Sequence, residues 1–401
     1  MTLTSTTDNY KKMFCKKASF LFCMLLLIYN NTFSQFDLHI FIRSFPITHT
    51  TDTIFIAGSF NNWEPRNEKY KLVAANGRMV IDITGLQQGI YPFKCTRGDW
   101  RKTETDGNGK DIDNRVIKLT SDTTIELSIE GWKDDFTEMT RLHSASSNVK
   151  ILDSAFFMPQ LNRTRRIWIY LPEDYGKGKR RYPVIYMNDG QNLFDDYTSF
   201  NEEWGIDECL DSLIKKGKPA SIIVGIDNGP ERINEYNPYD HFEYGKGEGE
   251  EYVRFLTETL KPFIDKHYRT LSSKENTMIA GSSIGALISY YAMLRYPDIY
   301  GKVGMFSAAF WIAPKIYDLT DSVGNKLNGQ LFFIAGEQED SSVIRNMKEL
   351  ADKLGENSSA LIYMVTDPTG RHNEQNWRKW FEEFYLWITG NGLSYQVKTG
   401  D

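Results

Sequence analysis

Cysteine is nearly absent from this chain. There are four in 401 residues, and two of them, Cys15 and Cys23, fall within the first 34 positions. Cys95 and Cys209 remain, in stretches of different pattern, so no disulfide framework and no Cys95–Cys209 bridge is expected. No Cys-x-x-Cys pair and no Cys/His cluster occurs, which removes support for a zinc or dithiol redox site. Histidine is also scarce, with six residues. No basic run exists, and 47 Lys and Arg against 53 Asp and Glu leave a net charge of −6. The electrostatic footprint of a nucleic-acid binder is therefore missing. The apolar run Phe20 to Tyr29 is roughly half the ~20 residues that a membrane-crossing helix needs. Neither a repeat nor a low-complexity tract is found.

The chain is 41% hydrophobic and 25% charged, near the globular average, which excludes wholesale disorder, collagen and coiled coil. Its length suits two domains plus processing segments. Aromatics are abundant at 14%. Burial in sheet-rich cores accounts for most of them, and a planar or sugar-like ligand would use the rest.

Lys11, Lys12, Lys16 and Lys17 precede the apolar run, and small residues Thr32 and Ser34 follow it. This pattern reads as a cleavable signal peptide over residues 1–34, with Met13 an alternative start. Cys23 sits early in the run, which gives a lipoprotein anchor little support. The expected location is secreted or periplasmic. The segment carries four Lys and one Asp, so its removal takes the net charge from −6 to −9.

Residues 36–135 read as short strands. Phe36 to Ile42, Thr53 to Ala57 and Arg78 to Ile83 alternate, with turn signals at Gly58-Ser59, Asn61-Asn62, Asn76-Gly77, Gly98-Asp99 and Gly107-Asn108-Gly109. That spacing predicts an immunoglobulin-like β-sandwich of roughly 100 residues. A polar linker occupies 136–147. From 148 to 392 the pattern changes to alternating strands and helices, and 393–401 form a tail. Apolar strands such as Pro183 to Met187, Ser221 to Gly225, Thr277 to Ala280 and Leu331 to Ala335 alternate with helices. These are expected near Glu251 to His267, Val343 to Leu354 and Asn376 to Ile388. Such alternation predicts an α/β fold with a mostly parallel sheet covered on both faces.

The sharpest motif is Gly281-Ser282-Ser283-Ile284-Gly285, a G-x-S-x-G with Ser283 at its centre. A strand pattern runs into it and a helical pattern from Ala286 runs out. That context places the serine on a strained strand-to-helix turn at the carboxyl edge of the sheet. Small neighbours avoid a clash where strand and helix cross. The Ile284 N–H then lies at a helix N-terminus, where it can donate to a developing oxyanion.

A serine needs a base oriented by an acid. In the α/β-hydrolase order the acid and then the histidine follow the serine. Only His372 lies after Ser283. The acid should follow the strand Leu331 to Ala335, where Glu339 is chosen, Asp340 is the runner-up and Asp367 stays open. A second oxyanion donor should come from the turn after Pro183 to Met187. Gly190 is expected to turn the backbone inward, with the Gln191 N–H as donor. The scheme requires no metal or organic cofactor.

These residues resemble the esterase family typified by esterase D and carbohydrate esterase family 1, which includes feruloyl, acetylxylan and enterochelin esterases and mycolyltransferases. The resemblance spans about residues 148–390. Its marks are Tyr182 to Phe194, Arg232 with Glu235-Tyr236, Lys261 to Asp265, Gly281 to Leu287, Tyr296-Pro297-Asp298, Ser307 to Trp311 and His372 to Arg378. It implies the α/β-hydrolase fold, and Glu339 falls where the family's acid stands. Ala286 departs from the family's usual second glycine. Tyr236 and Trp311 are candidates to hold an acyl group.

The front domain resembles glycogen- and starch-binding modules of the kind found in the AMP-activated kinase β subunit. The matching positions are Trp63, Lys94, Trp100 and Asn114. An indole face stacks on a pyranose, while Lys and Asn bond its hydroxyls. The alternative is a domain that merely covers the hydrolase.

The expectation is a secreted serine esterase acting on feruloyl or acetyl groups of polysaccharide or oligosaccharide. A siderophore esterase shares all its chemistry. A non-catalytic glycan-binding surface protein is a further alternative, and so is a starch-debranching glycosidase, which would need paired carboxylates on a barrel.

Overall fold

The computed structural model describes residues 35–75, 77–136, 141–242 and 244–390. The expected signal segment, the tail, Asn76 of one turn signal and linker positions 137–140 lie outside the described residues.

The front domain is built from short strands in two main sheets. Val73–Ala75, Arg78–Gln87, Gln35–Ser44 and Thr123–Ser128 form one, in that spatial order. Phe55–Gly58, Gly89–Thr96 and Arg115–Leu119 form the other. The alternation foreseen in the first strand is realised: Leu38, Ile40 and Ile42 are buried while their neighbours are partly or fully exposed. They meet Ile56, Phe93 and Trp132 in a common core. In the first sheet a period-2 pattern buries one face and leaves the other partly wet, whereas Phe55–Gly58 of the second sheet, expected to alternate, is buried at all four positions.

The second domain is organised around one eight-stranded sheet. Its spatial order is Val149–Met158, Arg163–Tyr170, Ile222–Ile226, Val184–Asn188, Thr277–Ser282, Lys302–Phe306, Gln330–Gly336 and Leu361–Asp367. From Ile222–Ile226 onward all neighbours are parallel. The first two strands run antiparallel, so the sheet is mixed. The parallel strands read as unbroken apolar runs because helices cover both faces. On one face the helix Ile284–Arg295 is buried at every position except Arg295, consistent with its apolar sequence on all sides. On the other, Ile206, Leu210, Phe381 and Phe384 pack from the helices Ile206–Lys215 and Glu374–Thr389.

The helix expected near Glu251 to His267 is a composite. Gly249–Arg254 and Lys261–His267 are α-helical, and Phe255–Leu260 between them is a π-segment. Pro262 supplies the physical reason: it has no N–H for the usual i→i−4 bond, and its ring crowds the carbonyl one turn back, so the turn ahead of it widens. Among the described residues no helix is long and apolar enough to cross a membrane. Cys95 and Cys209 are both free thiols.

Candidate active site

Ser283 follows the strand Thr277–Ser282 and caps the helix Ile284–Arg295 with φ 56° and ψ −123°. A non-glycine residue there stores backbone strain of about 1–3 kcal/mol, and it persists only where surroundings over-determine it. Those surroundings are its own backbone bonds. The Ser283 N–H donates to Phe306 O at 2.8 Å, and its carbonyl accepts from Ala286, Leu287 and Ala309 at 3.1, 3.2 and 3.1 Å. Small flanks are mandatory: a Cβ at Gly281 would lie 2.7 Å from the Gly285 backbone. The Ile284 N–H, first in its helix, has no intrahelical acceptor.

The turn after Val184–Asn188 abuts this helix start. Asn188 Nδ2 donates to Gly285 O at 3.1 Å and to Ser289 Oγ at 2.9 Å. The left-handed residue of the turn is Asp189, with φ 60° and ψ 48°, not Gly190. Gly190 is needed for another reason. A Cβ there would lie 2.7 Å from the backbone of Gly225 and Ile226. Gln191 sits in the short helical turn Gly190–Asn192, and its Oε1 accepts from the Asn228 N–H at 3.1 Å.

Asp189 is a site residue that sequence reading missed. Its buried carboxylate takes both Nε and Nη2 of Arg232 at 2.7 and 2.8 Å, and Asn228 Nδ2 at 2.7 Å. Tyr236, expected as a substrate contact, is fully buried instead. Its ring packs on Tyr252 and its hydroxyl lies 3.4 Å from the Asp189 N–H. It backs the turn and presents no surface to a substrate. Trp311 is half-buried in the turn Phe310–Ile312, which follows the strand Lys302–Phe306.

His372 lies in the loop between Leu361–Asp367 and the helix Glu374–Thr389, and its Nδ1 is 2.9 Å from Glu339 Oε2. That contact engages Nδ1 and not Nε2. Glu339 is fully buried, and its Oε1 accepts from Ser307 Oγ at 2.6 Å and from the Gly336 N–H at 2.7 Å. Three partners offset the cost of burying a carboxylate. Ser307 in turn accepts from the Trp377 indole at 3.0 Å, and the same indole meets the His372 ring edge-on. Ser307 and Trp377 lay among the resembling residues, but nothing in the sequence assigned them this work.

The two other candidate carboxylates have different partners. Asp340 caps the helix Ser341–Asn357 by accepting from the Ser342 N–H at 2.7 Å. Asp367 takes Lys379, Trp380 and Thr369. Burial opposes its ionisation, yet those donors hold it down at about 2. A further carboxyl, Glu374, is buried beside the site. Burial pushes it up to about 7, with Asp189 and Glu202 adding to the effect and the His372 field opposing it.

On the front domain Trp63 and Trp100 have ring centroids 6.4 Å apart. Lys94 follows Phe93, whose partner across the sheet is Arg115, so Asn114 falls beside Lys94. Burial lowers the Lys94 ammonium below its usual range, against the fields of Asp111 and Glu104. All four residues are partly exposed.

The family model described as "Putative esterase" matches residues 158–388. The chain is 30% identical over 155 residues to the uncharacterized protein YbbA of Bacillus subtilis (strain 168), covering 37% of this chain and 58% of that one. It is 29% identical over 219 residues to an endo-1,4-beta-xylanase/feruloyl esterase of Xylanibacter ruminicola, covering 54% of this chain and 28% of that one. It thus spans less than two thirds of either relative. The enterobactin esterase FES from Shigella flexneri shares the fold at a TM-score of 0.50 and 16% identity, over 84% of this chain and 88% of that one. With the family match running through more than half its residues, the chain belongs to this putative esterase family.

Proposed function

We propose that this chain is a secreted serine esterase that removes feruloyl or acetyl groups from polysaccharide or oligosaccharide. The observation that carries the reading is the bond from His372 Nδ1 to the buried Glu339 carboxylate, at the sheet edge where Ser283 occupies its strained turn. Ser283 Oγ attacks the ester carbonyl, and His372 Nε2 takes its proton. The negative oxygen of the tetrahedral intermediate receives the N–H groups of Ile284 and Gln191, which are fixed before reaction and need no reorganisation. Glu339 holds the imidazole in the right tautomer and stabilises it when protonated. The alcohol leaves with the proton from His372. Water, deprotonated by the same nitrogen, then releases the acid from the acyl-enzyme.

The substrate class is supported by the relative named as a feruloyl esterase and by the front-domain residues Trp63, Trp100, Lys94 and Asn114. Paired indoles and neighbouring amide and ammonium groups suit a pyranose chain. Export is supported by the pattern of residues 1–34.

Ser283→Ala is expected to keep the fold and lower kcat by roughly 10³- to 10⁶-fold. Turnover of p-nitrophenyl acetate at the unaltered rate would remove the assignment. Methyl ferulate, acetylated xylan and a catecholate siderophore, compared side by side, test the substrate class. A kcat/KM highest on the siderophore would overturn the polysaccharide reading.

A further inference from the structure

We propose that Asp113, on the front domain, is a positioning residue for the His372 imidazole and acts through Arg371 and Asn373. Its carboxylate divides between the two residues that flank the histidine. Oδ2 accepts from Arg371 Nη1 at 2.9 Å, and Oδ1 accepts from Asn373 Nδ2 at 2.9 Å. Asn373 is pinned at both ends of its amide, because its Oδ1 accepts from the Asn376 N–H at 3.1 Å as the cap of the last helix.

The inner part of this loop is held by the hydrolase itself. Gln338 donates its N–H to Gly370 O at 3.0 Å, and Gly370 donates to Asp367 O at 3.0 Å. Between Gly370 and the helix, the side chains next to His372 turn to the other domain for their partners. Among the described residues, the imidazole then has one directing bond of its own, to Glu339, and one edge contact with Trp377. A ring with a single hydrogen bond can still pivot about it. A bracket on both neighbours limits that pivot, and small displacements of a base cost rate steeply.

The front domain is seated well enough to act this way. Tyr244 Oη donates to Asn62 O at 3.3 Å. Lys133 Nζ lies 5.5 Å from the centre of the Phe200 ring. Gly89 packs against Ser341, beside the acid loop, where an added Cβ would stand 3.5 Å from Oγ.

The Asp113–Arg371 pair is close to half exposed on each side, at 46% and 44%. Exposed ion pairs contribute little to stability. A purely structural role would therefore move almost nothing, and a positioning role would move kcat alone.

The inference rests on His372 being the base, and the experiment separates the two claims. Asp113→Ala, Asp113→Asn, Arg371→Ala and Ser283→Ala are made in the full chain and assayed on p-nitrophenyl acetate, with Tm recorded for each. Asp113→Ala and Arg371→Ala are expected to lower kcat by about five- to twenty-fold, with KM within about two-fold and Tm unchanged. Asp113→Asn keeps an acceptor for Asn373 and is expected to recover part of the loss. A kcat within about two-fold of the unaltered chain in Asp113→Ala, while Ser283→Ala is inactive, overturns the positioning role alone. A fall in kcat that tracks a fall in Tm also overturns it. Full turnover by Ser283→Ala removes the hydrolytic reading and this inference with it.

Discussion

Ser307 Oγ donates a 2.6 Å hydrogen bond to Glu339, the carboxylate that accepts from His372. Ser307 stands immediately after the strand Lys302–Phe306 in a left-handed conformation, φ 50°, and its N–H donates to Ile334 O at 2.7 Å. The residue after the strand next to the elbow thus supplies a group that fixes the Glu339 carboxylate.

Replacing Ser307 by Ala removes the donor to Glu339 and leaves the Trp377 indole without an acceptor. Hydrogen bonds to charged groups contribute about 1.5–3 kcal/mol, so kcat is expected to fall roughly 10- to 100-fold. Steady-state kinetics on p-nitrophenyl acetate and a thermal melt check this. A kcat close to that of the unaltered chain would mean that Gly336 and His372 suffice to hold the Glu339 carboxylate.

Glu339 and Asp340 are neighbours in sequence with separate tasks. Glu339→Gln is expected to cost roughly 10²- to 10⁴-fold in kcat, because an amide can hold the wrong imidazole tautomer. Asp340→Ala removes only a helix cap, worth about 1 kcal/mol, and should lower Tm while sparing kcat. The reverse pattern would move the acid to Asp340.

Glu374 gives stability a pH dependence of predictable sign. Its folded value of about 7 lies above the ordinary 4.5. Between those values the folded state binds more protons than the unfolded chain, so this contribution is full below pH 4.5 and is lost as pH rises through 7. The span corresponds to at most about 3 kcal/mol. Glu374→Gln should flatten that slope, raising Tm at alkaline pH relative to the unaltered chain and changing it little in acid. Parallel pH profiles of Tm for the two chains would refute the buried, protonated carboxyl.

The Asp189–Arg232 pair holds the turn that carries Gln191. Arg232→Met leaves a buried carboxylate with only Asn228 as a side-chain donor among the described residues, and loss of one partner of a buried pair costs about 3–5 kcal/mol. Because Arg232 keeps 29% of its side chain in solvent, the lower end is expected. Urea unfolding measures it, and a loss of kcat should accompany it as the turn loosens. A variant as stable as the unaltered chain would show that the pair is dispensable.

Local pattern carried much of this molecule. Period-2 alternation marked the first front strand but not Phe55–Gly58, which is buried throughout; unbroken apolar runs marked the parallel strands, and a serine between close glycines marked the elbow, since backbone sterics act within a few residues. Gly281 and Gly285 are small for a reason visible in sequence, namely the crossing of strand and helix. The π-segment before Pro262 and the antiparallel start of the large sheet escaped, because apolar content alone fixes neither helical pitch nor strand direction.

What the chain order determined by itself was one serine, one histidine able to follow it, and a choice among Glu339, Asp340 and Asp367. Which carboxylate meets the imidazole was decided by packing. Glu339 and His372 are 33 positions apart, Ser307 and Glu339 32, and Asp113 and Arg371 258. Hydrogen bonds act over about 3 Å, and no short-range pattern encodes which distant groups fold to within that reach.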